Sequence, residues 1–288
     1  MGTSTAYGGP GGGTPLVPTW LDPSPAGATS EASGGVPSYT TPSADVTQGY
    51  PVPTPPPFPS RFTSPRRNFS RFARSGGQDR GSLGRAVAGY VSTASGGSGV
   101  AARRMGASRN AGARFLGFLA DAKEHGAQEA LRTLNFEELA GRPVQEIFLG
   151  LVDYVCPDGG TVDEGIAREA FVETIVDLAV NGITDLDALT MDQMQTVFEL
   201  YATRTIEGRI CNDIGTKAVT FPVDVRAAEL VQTQLRDFIR RGVSDALTAA
   251  RAALEVLTQE RVLAFVDGVY ETAFDLLQKL GEAEAEAQ

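Results

Sequence analysis

The side chains able to do chemistry are few and scattered. His125 is the one histidine in 288 residues and stands among Lys123, Glu124, Gly126 and Gln128. Chemistry that needs two imidazoles is closed to this chain, and a lone histidine in a polar helical pattern reads as a surface residue. Cys156 and Cys211 are far apart and lack CxxC spacing, so they read as reduced, buried small hydrophobes and not as a disulfide, redox or metal pair. Asp153, Asp158, Asp163 and Glu164 invite a calcium-loop reading. The DxDxDG spacing and its bidentate glutamate are missing, and helix capping explains these acids better, as it does Asp185 and Asp187. Gly8 to Gly13 is glycine-rich like a phosphate loop but has no GKS or GKT and no strand before it. No catalytic residue, metal site or cofactor follows from these motifs, and the chain reads as non-enzymatic.

Two further features carry potential chemistry. In Met1-Gly2-Thr3-Ser4, removal of methionine leaves a glycine α-amine, whose pKa of about 7.7 to 8.0 keeps roughly a tenth of it neutral and nucleophilic at pH 7. That suits an acceptor of acyl transfer. The myristoylation pattern fails because Ala6 stands where Ser or Thr is wanted. The second feature is arginine. Residues 61 to 114 hold eleven arginines, no lysine and Asp79 as the one acid, with Ser-Arg-Phe at 60–62 and again at 70–72. Arginine interleaved with phenylalanine is the composition of a nucleic-acid-binding arm, with Arg61, Arg66, Arg67, Arg71 and Arg74 holding phosphate. It equally suits a segment that wraps an acidic protein surface.

The elements that must position these residues divide the chain. Residues 1–60 are Gly, Pro, Ser and Thr with three charges, too little apolar surface to offset the entropy of ordering. They are expected to form a disordered tail, with Pro51 to Pro59 favouring polyproline II as a semi-rigid spacer. The stretch 1–21 is charge-free, yet it is broken by glycine and proline and has no basic leader. It is neither signal peptide nor membrane span, and the chain is expected to be soluble and cytoplasmic. Residues 61–112 are expected to be a flexible Arg/Gly-rich segment with short helices at Leu83 to Tyr90 and Val100 to Ala107. An all-α domain then spans 113–281, followed by an acidic tail at 282–288.

Within that domain the apolar residues recur at three- and four-residue steps. One segment begins around Phe115 and ends before Asn135. Pro143 as the first helical residue opens the next, which Pro157 and Gly159-Gly160 end. Thr161 to Glu164 and Thr190 to Gln193 are capping boxes for two more helices. Lys217 to Pro222 is the one plausible extended piece. A helix is expected from about Asp224 to Arg240 and a longer one from Ser244 towards Leu280. In the longer one the seam Leu247, Ala250, Leu254, Leu257 meets Arg261 and resumes at Val262, which fits a drifting 3.6 period in a globular bundle.

Met1 to Leu21, Gly96 to Arg109 and Val162-Asp-Glu-Gly-Ile-Ala-Arg-Glu-Ala170 together resemble the QatB family, accessory proteins of the Qat bacterial anti-phage system. The resemblance spans the chain, although its motifs carry no catalytic content. It implies an ATPase (QatA), a QueC-like enzyme (QatC) and a TatD-like nuclease (QatD) as partners. A QueC enzyme activates a 7-deazaguanine carboxylate with ATP, and the resemblance implies that such an acyl group could pass to an amine on this chain, with Gly2 as acceptor. Three readings result: a partner-docking, N-terminally modified defence component; a nucleic-acid-binding adaptor; and a cryptic enzyme, disfavoured by the missing catalytic constellation.

Overall fold

The computed structural model describes residues 61–215 and 225–287, and among them no residue lies in a strand. Twelve α-helices follow in order among these residues: α1 Thr63–Arg74, α2 Arg80–Gly89, α3 Ser98–Arg103, α4 Gly106–His125, α5 Ala127–Thr133, α6 Val144–Gly150, α7 Val152–Val155, α8 Val162–Val180, α9 Met191–Ile210, α10 Val225–Ala249, α11 Arg251–Glu255 and α12 Val262–Glu286. None is long and apolar enough to cross a membrane. Local chemistry sets several ends. The Thr161 hydroxyl accepts from the Glu164 N–H at 3.2 Å while the Glu164 carboxylate accepts from the Thr161 N–H at 2.8 Å. Thr190 and Gln193 close the second capping box at the start of α9.

Aromatic rings fill the centre. Phe115 on α4 meets Phe148 on α6 at 5.3 Å, Phe171 on α8 at 4.9 Å and Tyr201 on α9 at 5.9 Å, each edge to face. Such pairs add roughly 0.5–1.5 kcal/mol beyond the area they bury. Around this centre α12 packs on α2, α3, α4 and α10, and among the described residues its contact with α2 is the most extensive between two helices. That contact depends on glycine: a Cβ on Gly84 would lie 2.5 Å from the Gly281 carbonyl oxygen. Only a pair of bare Cα atoms lets the two backbones approach so closely.

Residues 61–112 therefore depart from expectation. Instead of a flexible segment they form α1, α2, α3 and the start of α4, and they bury Phe62, Phe69, Phe72, Leu83 and Tyr90 in the common core. The expected helix at Leu83 to Tyr90 lies in α2, the one at Val100 to Ala107 is divided between the end of α3 and the start of α4, and the boundary drawn at 113 falls inside α4. Glycine and arginine lower helix-forming tendency or burial locally, and tertiary packing overrides both. Three other boundaries move for identifiable reasons. Gly126 takes φ +88 and separates α4 from α5. The apolar run from Val144 breaks at Leu151 into α6 and α7. The long helix expected from Ser244 is shared among three: α10 runs on to Ala249, the short α11 follows, and α12 starts at Val262, so the shift in the seam at Arg261 marks a break and not a drifting period. The acidic end is not a separate tail either, since α12 continues to Glu286 and Glu284 pairs with Arg241 at 3.2 Å. The tail 1–60, with Gly2, and the extended piece at 217–222 lie outside the described residues.

Candidate functional site

The five arginines singled out by sequence sit on or beside α1, and the helix sorts them by phase. Pro65, Phe69, Phe72 and Ala73 face inward and are buried. Arg67, Arg71 and Arg74, spaced four and three residues apart, share the opposite face and are exposed. The Arg71 guanidinium acts on the Asp79 carboxylate through space. A rise of about 1.5 Å per residue sets their Cα atoms roughly 6 and 4.5 Å apart along the axis, so they form one short basic ridge. Arg61 lies at the helix entrance with its guanidinium 5.1 Å from the centre of the Phe62 ring, a ring that Arg66 and Arg104 also approach, at 5.3 and 5.7 Å.

Arg66 serves the fold. It donates from Nε at 3.1 Å and from Nη2 at 2.8 Å to the carbonyl oxygen of Asp213. Asp213 belongs to a π-helical turn, Cys211–Gly215, that continues α9, and Tyr90 opens another, Tyr90–Ser95, after α2. The wider turns carry the two side chains together: the Tyr90 hydroxyl donates to Asp213 Oδ2 at 3.0 Å. Arg104 Nη2 and Arg209 Nε stand 3.5 and 3.3 Å from the same oxygen. Burial first, and then the adjacent carboxylate, push the Tyr90 phenol far above its usual range, so it acts as a neutral donor. Asp213 thus ties four parts of the fold together around Phe62, its backbone carbonyl holding α1 and its carboxylate holding the turn after α2, the end of α3 and α9.

The other residues named from sequence stay apart. Asp163 accepts from the N–H groups of Ala107 and Ser108 at 2.7 and 3.2 Å and caps α4. Asp187 accepts from Ala127 N–H at 2.7 Å and caps α5. Asp153 pairs with Arg168 at 2.8 Å, and Asp158 is exposed. His125 Nδ1 lies 2.8 Å from Asp121 on the surface. Burial pushes both thiols, Cys156 and Cys211, up to about 12. Among the described residues no group of three His, Cys, Asp or Glu could hold a metal.

Sequence reasoning missed a ladder of buried charge along α9. Glu199 and Glu207 are only 8% and 9% exposed. Arg240 Nε donates to Glu199 at 2.6 Å, and Arg236 grips Glu207 with Nε and Nη2 at 2.8 and 3.2 Å. On the other side Arg204 reaches Glu173 and Asp177 of α8 at 3.1 and 2.8 Å. The signal was present as arginines four apart on α10 facing glutamates eight apart on α9, yet only the packing reveals which helices face each other.

The family model of the Qat anti-phage system associated protein QatB matches residues 96–277, from just before α3 to late in α12. No curated protein and no solved structure matches the chain. With more than half of its length matched, the chain belongs to the QatB family and has a role in the Qat anti-phage system.

Proposed function

We propose that this member of the QatB family is a non-enzymatic component of the defence system, whose helical body docks on partner proteins and whose Gly2 α-amine accepts an acyl group. The QueC-like enzyme would supply that group as an ATP-activated carboxylate, with the ATPase and the TatD-like nuclease as the other partners. The observation that carries the reading is the arrangement of the chain about Phe62. That residue is buried and pinned, and Gly2 lies sixty positions before it in the chain. Competing amines are few, since Lys123, Lys217 and Lys279 are the only lysines. At pH 7 an ordinary lysine is neutral to about four parts in ten thousand, against roughly a tenth for an α-amine.

The step balances simply. The amine lone pair forms the N–C bond, the bond from acyl carbon to adenylate oxygen breaks, AMP leaves with that electron pair, and the amine proton passes to solvent. Intact-mass and peptide mass spectrometry of the chain co-expressed with the QueC-like enzyme tests this. A mass increase on the Gly2 peptide is expected, and an unmodified Gly2 peptide would sink the acceptor role.

A second reading rests on the ridge Arg67, Arg71, Arg74, which presents three exposed guanidiniums to a polyanion such as nucleic acid. Three phosphate contacts give a slope of about −2 to −3 in log K against log salt. Changing all three to glutamine should remove the binding and leave thermal stability unchanged. Binding that survives the triple change, or that ignores salt, excludes the reading.

A further inference from the structure

Helix α8 is apolar on both sides. Ala167, Ala170, Phe171, Ile175 and Leu178 are buried against the core. On the outer side Val172, Val176 and Val180 repeat every four residues and are 39%, 67% and 84% exposed. Exposed Glu169 and Glu173 flank that row, so the outer side is an apolar strip with an acidic edge, and an exposed apolar strip rimmed by polar residues marks an interaction surface. Beside the valine row lies a cleft of about 380 Å³ between α8, α9 and α10, lined in part by Ile166, Glu169, Glu173, Arg204, Glu207 and Arg236. Glu169 is exposed and, among the described residues, has no basic partner. Arg204 is shared by Glu173 and Asp177, and Arg236 is taken by Glu207. Four carboxylates therefore stand against two guanidiniums along this border.

We propose that the outer face of α8, with the acidic cleft beside it, docks an amphipathic helix of another protein whose apolar side is bordered by lysine or arginine. A row of side chains four apart, spanning about 12 Å from Val172 to Val180, offers the ridge that a second helix packs into. The surplus of negative charge selects the flanks of that helix. The chain's own basic segment is not available as the cover, because the apolar sides of α1 and α2 are already buried in the core. A second copy is a poor cover as well. A copy would bring the same surplus of carboxylates to this border, and residues 61–288 as a whole carry 32 acidic against 25 basic side chains, so two such faces repel as they approach.

The inference gives a location to the partner-docking reading above, on which it rests. The probe is a synthetic helical peptide with a leucine face bordered by lysines, set beside the same peptide with every lysine replaced by glutamate. Binding to the full chain is followed by fluorescence anisotropy. Saturable one-to-one binding of the lysine peptide is expected, at least tenfold weaker for Val176→Asp and for Glu169→Lys, with the glutamate peptide not bound. Both substitutions are at exposed positions, and circular dichroism melting is expected to match the unsubstituted chain. Failure of the lysine peptide to bind, binding indifferent to the two substitutions, or equal binding of the glutamate peptide would overturn the assignment. So would a dimer in light scattering that Val176→Asp dissolves, in favour of a second copy. Peptide binding in a chain that co-purifies with no Qat component would leave this surface in place and remove the partner reading instead.

Discussion

Gly84 to alanine is the substitution whose sign is most informative. In an unobstructed helix interior the change stabilises by about 1 kcal/mol, because alanine gives up less backbone freedom on folding. In α2 the new Cβ would sit 2.5 Å from the Gly281 carbonyl oxygen and 3.0 Å from the Glu284 Cβ. That is roughly an ångström inside the ordinary contact distance of about 3.5 Å. The obstacle is the backbone of a 25-residue helix, not the end of a mobile side chain, so α2 has to move away from α12. Overpacking of this kind costs about 1–3 kcal/mol. With both helices fixed by the rest of the core the upper half of that range applies, and the net loss is about 1–2 kcal/mol. Gly268, on the same helix α12, has no atom within 4 Å of its Cβ position, so Gly268→Ala should gain up to about 1 kcal/mol. In urea unfolding of the full chain followed by circular dichroism, a slope of about 1–3 kcal/mol per molar moves the two midpoints in opposite directions by roughly half a molar. A Gly281→Ala change should reproduce the loss, since its Cβ would lie 2.6 Å from the Gly84 carbonyl oxygen. The double substitution should cost less than the sum, because one separation relieves both contacts. If Gly84→Ala raises the midpoint as Gly268→Ala does, the close crossing is not what holds residues 61–112 to the body.

Asp79 caps α2 through Ser82, accepting from its N–H at 2.8 Å and from its hydroxyl at 2.6 Å, and Asp79→Ala should cost about 1 kcal/mol at neutral pH. The Ser82 hydroxyl bond holds the Asp79 carboxyl below its ordinary value of 3.8. The charged form is thus favoured by folding. The contribution is complete above pH 3.8 and is lost as pH falls through the lower folded value, so the stability gap between the two proteins should close in acid, as denaturant midpoints measured across that range will show. Cys156 and Cys211, with thiols raised to about 12 by burial, should resist iodoacetamide at pH 8 in the folded chain and react at the ordinary thiol rate once unfolded, by mass spectrometry.

Legibility followed the range of the interaction. The starts of α8 and α9 could be read directly, since Thr161 with Glu164 and Thr190 with Gln193 settle a helix end within four residues. The break before α12 was misread for a related reason: a seam displaced by one position at Arg261 looks the same whether a helix drifts or stops. Residues 61–112 were the hardest. Gly84 counts against a helix when judged by its neighbours, yet it is what lets α2 reach Gly281, nearly two hundred positions away. The pairs Glu199 with Arg240 and Glu207 with Arg236 were equally hidden, because burial of a charge makes sense only once its partner helix is known.

The arginine count illustrates the same limit and bears on function. Eleven arginines in 61–114 suggested one uniform basic arm. Folding divides them: Arg66, Arg104 and Arg109 are spent on Asp213 and Asp267, and Arg114 on the Val155 carbonyl. The ridge Arg67, Arg71, Arg74 stays outside because α1 must turn Phe69 and Phe72 inward. The body thus presents a basic ridge at α1 and an acidic border at α8, and a net charge of −10 describes neither. Salt weakens contacts at both, so salt dependence alone does not assign a partner to a surface. Charge reversal does: glutamates at 67, 71 and 74 should abolish binding of an anionic partner and spare a basic helix on α8, whereas lysine at 169 should do the opposite. A partner lost through both sets of changes would have to bridge the two surfaces.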